Sequence, residues 1–427
     1  MNYRTLLKKI FPHSLIVAAR RAVKSAAYMC LNLRYIWKVR KLRAKNVVNV
    51  VFFVLFDSTW KLDYLYRKLS ASSSFNPTIV VCPIVNFGRE NMLQTLELTY
   101  RYFKSKGFNV VKSFEESTDT WLDVRKVLAP DVIFFSSPYR GQVDNRFYIS
   151  EYRDVLTCYV PYFYNECRDI GFINHPVHNY SWKFFVETPF HEDFCRRNMH
   201  NSGLNVVMTG YPGVDYFLDK DYEAKDVWKV RNPSLKRIIW APHHTILPTD
   251  VIYYSCFLML ADFMLRMAKK YSGSIQIAFK PHPVLRNKLN EYWGKERTDE
   301  YYKEWDSGEN TFFENGEYVD LFLTSDAMIH DSGSFLIEYL YLDKPVMRTD
   351  NGQSLQNEFN DFAFSCLDHY YQGKTEDEVE KFIKMVIDGE DEKKEPRRKF
   401  LTENLLPYNR RLPSDNIYDF LINEFRK

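Results

Sequence analysis

Three short stretches carry side chains suited to holding a phosphate. Pro242-His243-His244-Thr245 offers an imidazole pair. Lys280-Pro281-His282-Pro283 offers a cation and an imidazole set between prolines, where histidine makes poor core filler. His330-Asp331-Ser332-Gly333-Ser334 offers hydroxyls and small residues. The surrounding stretch, 325–348, reads as a strand over 327–329, a tight turn, and a helix starting near Phe335. Free N–H groups at a helix start, with the macrodipole behind them, form an anion site. An ordinary capped strand-to-helix turn has the same composition. His243, His244, Lys280, His282, Ser332, Gly333 and Ser334 are thus candidate diphosphate ligands. Asp331 is either a helix cap or a nucleotide contact, and Glu338 suits a ribose contact or a loop anchor. His175 and His178, in Asn-His-Pro-Val-His-Asn-Tyr, are candidate proton acceptors because imidazole titrates near neutrality.

The elements that must position these residues follow from hydrophobic patterning. From Asn46, short apolar runs alternate with amphipathic stretches. Strands are expected over 48–56, 78–83, 108–111, 131–135, 158–163, 184–186 and 205–208. Helices are expected over 61–69, 90–105, 118–128 and 189–199. A charged linker over 218–233 follows, and the alternation restarts. Strands over 237–240, 274–279, 327–329 and 346–347 are expected, with a long helix over 252–271 and further helices over 376–387 and 414–425. Alternating strands and helices predict an α/β protein with parallel sheets covered on both faces. The expected organisation is an arm over 1–45, a Rossmann-like acceptor domain over 46–217, a Rossmann-like nucleotide-donor domain over 234–390 and C-terminal helices over 391–427. Ligands of such sheets lie beyond the carboxyl ends of the strands. The three polar loops of the second domain fall there, facing an expected cleft between the domains.

Residues 1–45 hold twelve Lys and Arg and no Asp or Glu, whereas the rest of the chain is acidic on balance. No apolar run in this arm approaches the roughly 20 residues of a membrane span, and an arginine pair interrupts any signal-peptide core. After Pro12, Leu15, Ala18, Ala22, Ala26, Met29, Leu33 and Ile36 recur near the helical period. Arg34, Lys38, Lys41 and Lys45 fall on another face. A basic amphipathic helix on an anionic membrane surface is expected. The alternatives are a helix packed on the body and a nucleic-acid arm. The latter is disfavoured by the acidic remainder and by the lack of a nucleic-acid motif. Seven cysteines without paired spacing point to free thiols and no zinc or iron–sulfur site.

The ordered set Trp240-Ala241-Pro242-His243, Lys280-Pro281-His282-Pro283, His330–Ser334 with Glu338, and Lys344-Pro345 resembles the CDP-glycerol glycerophosphotransferases. Thr209-Gly210-Tyr211-Pro212 with Asp215 resembles the element that ends their first domain. The resemblance implies a GT-B-like fold of two doubly wound Rossmann-type domains and a peripheral position on the cytoplasmic face of the membrane. It implies transfer of glycerol phosphate or a similar polyol phosphate from a CDP-activated donor to a lipid-linked or glycan acceptor, releasing CMP, in teichoic-acid-like polymer synthesis. It implies no cofactor and no metal. The family's Trp-His-Gly element, which carries its proposed base, is replaced by Tyr159-Val160-Pro161-Tyr162-Phe163-Tyr164, so His175 and His178 are the nearest substitutes. His243 stands where the family has threonine, and the usual arginine near it is missing. A CMP-sugar or other nucleotide-sugar transferase, a sugar-nucleotide epimerase and a non-catalytic membrane protein are the alternatives.

Overall fold

The computed structural model describes residues 13–250, 253–407 and 409–426. Arg4, Lys8 and Lys9 of the arm, and Ile252 at the expected start of the long helix, lie outside these. The chain forms two compact units, one of residues 13–215 and 407–426, the other of residues 216–406. The segment expected as C-terminal helices therefore divides between them.

The first unit holds seven parallel strands: β1 (Val48–Val54), β2 (Phe75–Val81), β3 (Val110–Lys112), β4 (Val132–Phe135), β5 (Leu156–Tyr159), β6 (Lys183–Val186) and β7 (Val206–Met208). Their order is β3-β2-β1-β4-β5-β6-β7. Strand β1, VNVVFFV, explains its central place. Val50, Phe52 and Val54 enter one hydrophobic cluster, and Val51 and Phe53 enter another on the opposite face. A strand buried on both sides reads as a continuous apolar run. The expected helix over 118–128 is shorter than the pattern suggested. Phe114–Glu115 and Thr120–Trp121 pair as an antiparallel hairpin, and only Val124–Leu128 is helical.

The arm is a 31-residue helix, α1 (His13–Arg43). It packs on this unit through a face other than the expected stripe. Tyr28, Leu31, Tyr35, Val39 and Leu42 are buried in the core beside Ile417, Leu421 and Phe425 of the last helix. Burying such side chains contributes about 1.5–3 kcal/mol each. The tyrosine hydroxyls donate to carbonyls, Tyr28 Oη to Trp182 O (3.2 Å) and Tyr35 Oη to Tyr180 O (2.6 Å). Leu15, Ala18, Ala22, Ala26, Met29, Leu33 and Ile36 are exposed instead. The helix has two apolar faces, and the one built on tyrosine is the one the body covers.

The second unit holds six parallel strands: β8 (Lys236–Ala241), β9 (Ile275–Phe279), β10 (Thr311–Phe313), β11 (Ala327–His330), β12 (Val346–Thr349) and β13 (Tyr371–Gly373). Their order is β10-β9-β8-β11-β12-β13. This is the doubly wound order whose direction reverses between its first and fourth strands, where ligands bind. Here those strands are β8 and β11. The long helix of this unit, α2, spans Phe257–Lys270. Strands β10 and β13, and the helices Leu285–Trp293 and Lys295–Ser307, were not legible in the sequence. Trp240, Phe257, Phe279 and Trp305 stack with ring centroids 5.0–6.3 Å apart and fill the core below the strand ends.

The last helix, α3 (Pro413–Phe425), returns to the first unit. Asp215 of the Gly-Tyr-Pro element holds its start, accepting from Ser414 N (3.2 Å) and from the Ser414 hydroxyl. Burial raises the Asp215 carboxyl to about 8, so it is protonated at neutral pH. Gly210 takes a φ of +91°, and a Cβ there would meet Pro413 at 2.8 Å.

Candidate functional site

The three polar loops leave adjacent strands, β9, β8 and β11, at their carboxyl ends. Backbone bonds tie the first two together: Lys280 N donates to Trp240 O (2.8 Å) and His282 N to Pro242 O (3.0 Å). The result is a cluster of three imidazoles. Ring centroids lie 4.3 Å apart for His243–His244, 4.3 Å for His244–His282 and 5.0 Å for His243–His282. The sequence puts the His243–His244 pair and the His282 loop at one sheet edge, and the structure sets the three rings against one another.

All three rings are neutral at physiological pH. Burial, then repulsion from the two neighbouring rings, lowers His243 to about 3. Burial and His244 lower His282 to about 4, and burial lowers His244. The His243 Nδ1 lies 2.8 Å from Thr245 Oγ1. The His282 Nδ1 accepts from Val284 N (3.2 Å). The His244 Nδ1 is buried and has no hydrogen-bond partner among the described residues. Thr245, which orients one ring, was missed in the sequence, although it directly follows the histidine pair.

Asp331 is a strut rather than a nucleotide contact. It is 3% exposed. Its Oδ1 accepts from His243 N (2.6 Å), and its Oδ2 from Cys256 N (2.8 Å) and Ser255 Oγ (3.2 Å). It thus fixes the histidine loop and the residue preceding α2. Burial raises its carboxyl to about 6 against the pull of these donors. Glu338 is likewise an anchor, buried with Oε2 accepting from Tyr318 Oη (2.6 Å). Neither carboxylate is open to a nucleotide.

The turn after β11 also differs from expectation. No α-helix starts at Phe335; a short 3₁₀ helix spans Glu338–Leu342. The macrodipole of a long helix is therefore absent from this turn. Ser332 and Gly333 are buried, Ser334 is exposed, and Ser334 N donates to Ser332 Oγ (3.1 Å). Lys280 is buried, and its Nζ donates to Gly316 O (2.8 Å). Desolvation lowers it to about 8. Lys344 caps a neighbouring helix through Phe322 O (2.9 Å) and Leu323 O (2.7 Å).

In the first unit, His175 and His178 part company. His178 is 1% exposed, enclosed by Tyr159, Phe184 and Phe172 at 4.8, 5.2 and 5.8 Å. Burial pushes it down to about 3. A ring so enclosed cannot meet an acceptor, which corrects its assignment as a base. His175 is only partly buried, on the loop that follows β5, and also lies below its usual range through burial, with Asp169 opposing. Among the described residues no helix is long and apolar enough to cross a membrane.

The two doubly wound units define the GT-B class of architecture. Solved structures agree at the level of fold. A variant of the wall teichoic acid polymerase TagF matches at a TM-score of 0.56 and 12% identity, over 95% of this chain and 97% of its own. A soak of that variant with CDPG matches at 0.53 and 11%, with the same coverage. The UDP-GlcNAc 2-epimerase of Neisseria meningitidis, bound to UDP-GlcNAc, matches at 0.52 and 14%, over 88% of this chain and 99% of its own. No curated protein matches. The profile of CDP-Glycerol:Poly(glycerophosphate) glycerophosphotransferases matches residues 173–423, more than half of the chain. The chain belongs to that family and is a glycerophosphotransferase-like transferase.

Proposed function

We propose that the protein transfers glycerol phosphate, or a closely related polyol phosphate, from a CDP-activated donor to a hydroxyl of a membrane-linked glycan or polymer. The convergence of His243, His244 and His282 at the switch point of the second sheet carries this reading. The donor diphosphate lies against these imidazoles and the Ser332–Ser334 turn. The acceptor oxygen attacks the phosphorus that bears the glycerol. The bond from that phosphorus to the bridging oxygen breaks, and CMP leaves with the electron pair. Such transfers depend on positioning and charge stabilisation more than on covalent help from the protein. His175, the accessible member of its pair, takes the acceptor proton. Incubation with CDP-glycerol and a glycerol-phosphate-primed lipid acceptor tests this directly. Acceptor-dependent CMP release is expected. Its absence with CDP-glycerol and CDP-ribitol alike, alongside turnover of a CMP-sugar, would overturn the proposal.

The exposed face of α1 supports work at an anionic membrane on the cytoplasmic side. Met29, Leu33, Ile36 and Trp37 are 55%, 68%, 43% and 55% exposed, among exposed Arg34, Arg40 and Lys41. An open pocket of about 440 Å³ at the end of this stripe is lined by Trp37, Lys38, Lys41 and Lys45. Leu33→Glu with Ile36→Glu is expected to abolish sedimentation with phosphatidylglycerol liposomes. Both sites are exposed, so stability should change by no more than about 0.5 kcal/mol each. Undiminished sedimentation would refute this role.

A further inference from the structure

The three loops carry little positive charge of their own, and a buried cation, Arg348 on β12, lies opposite His330. On the loops the only Lys or Arg is Lys280, which is buried and donates to Gly316 O. The three imidazoles are neutral. The turn after β11 opens a 3₁₀ helix rather than a long α-helix. A diphosphate, and the charge that develops on a departing CMP, call for electrostatic compensation at the loops themselves.

We propose that His243, His244 and His282 together bind a divalent transition-metal ion of the Zn²⁺ type, leaving one coordination position open to a diphosphate oxygen. One nitrogen from each ring can be chosen so that all three lie within 4.8 Å of one another. Three imidazoles plus one exchangeable position is a recurrent zinc arrangement. The His244 Nδ1, buried without a partner among the described residues, is free to ligate, a state the enclosed His178 and His330 share without neighbouring imidazoles to complete a site. The Thr245 hydroxyl oxygen, 2.8 Å from the His243 Nδ1, can accept a hydrogen bond from Nδ1–H and leave Nε2 free for the metal. The Thr245 N–H approaches the same Nδ1 at the longer distance of 3.4 Å. A hydroxyl or carboxylate on the non-ligating nitrogen is the usual outer support of a metal-bound histidine. His282 would have to release one exposed bond, from Val284 N at 3.2 Å, if it ligates through Nδ1 or moves its proton there.

The choice of ion follows from the donors. Neutral imidazoles suit borderline ions. The nearby carboxylates are already engaged, Asp331 by His243 N and Cys256 N, Asp250 by Lys288 Nζ (2.8 Å) and Leu247 N (3.1 Å). No oxygen cage for Mg²⁺ or Ca²⁺ is offered by this group.

The role given to the metal rests on the donor-site reading, whereas metal binding itself is measured without donor. Tag-free protein is dialysed against Zn²⁺ and its metal content determined, and Co²⁺ is titrated while visible absorption is followed. One ion per chain and a tetrahedral Co²⁺ spectrum are expected. His244→Ala and His282→Ala should each lose the ion with an unchanged circular dichroism spectrum, and His200→Ala in the first unit should retain it. Thr245→Val should weaken binding about 10–100-fold. Substoichiometric Zn²⁺ in the native protein, equal retention by both histidine variants, or equal affinity for Mg²⁺ would overturn the metal site. Calorimetry with CDP-glycerol, with and without Zn²⁺, separates the two ideas. Full donor affinity in chelator overturns the metal's role and leaves the donor site standing. A bound metal with no donor affinity at all overturns the donor reading alone.

Discussion

The histidines of the two units show how one residue type is put to opposite uses. In the first unit His178 is walled in by aromatic rings and His191 is tied at both nitrogens, Nδ1 to Thr188 Oγ1 (2.7 Å) and Nε2 to Asn165 O (2.9 Å). These rings fill volume and fix loops. In the second unit His243, His244 and His282 gather at strand ends with their rings against one another. Burial lowers His178 and the three rings of the second unit for the same physical reason. What separates them is convergence. Three loops that leave adjacent parallel strands must meet, whereas a histidine inside one loop and its helix meets only the core beneath it.

The largest expected contrast comes from His282→Ala, which should lower transfer about 10²–10³-fold, the usual cost of one preorganised group at a developing charge. Steady-state CMP release, with circular dichroism to verify the fold, is the check. His178→Ala should do the reverse: lose about 2–4 kcal/mol of stability through the cavity it leaves, yet keep turnover per folded molecule. Denaturant titration beside activity measures both. If His178→Ala instead abolished turnover in a fully folded protein, the contrast between the units would collapse. His175→Ala should lower kcat about 10²-fold with little change in the donor KM.

The mildest test uses pH. His178 falls from 6.5 to about 3 on folding. Its contribution to stability is present above pH 6.5 and is lost as pH falls from there towards 3. Asp215 rises from 3.8 to about 8. Its contribution is fully present below pH 3.8 and is lost as pH rises through 8, at about 1.4 kcal/mol per unit of separation. Asp215→Asn should therefore flatten the decline of Tm between about pH 4 and 8 and change little outside that window. An unchanged slope between about pH 4 and 8 would show that the carboxyl titrates normally.

The resemblance to the family was legible because it rests on short motifs of residue type: Trp240-Ala241-Pro242, Lys280-Pro281-His282-Pro283 and Lys344-Pro345 stand in order in the chain. Central strands were legible for another reason. A run such as VNVVFFV has one stable place, between two apolar layers. The edge strands β10 and β13 are three residues each, too short to show a period. The helix expected at Phe335 failed because apolar residues such as Leu336, Ile337, Tyr339 and Leu340 satisfy a 3₁₀ turn as well as an α-helix when all are buried.

The sequence alone determined the alternation of strands and helices, the family, and which loops carry polar groups, since these depend on local pattern and residue type. Tertiary structure decided what each polar group touches. It put Asp331 under the histidine loop and Glu338 against Tyr318, turning two candidate ligands into supports. It buried the tyrosine face of α1 and left the aliphatic face to solvent. It also brought three separate imidazoles within contact of one another. Each outcome depends on which distant segment arrives beside a residue, and that is set by strand order and packing, not by neighbours along the chain.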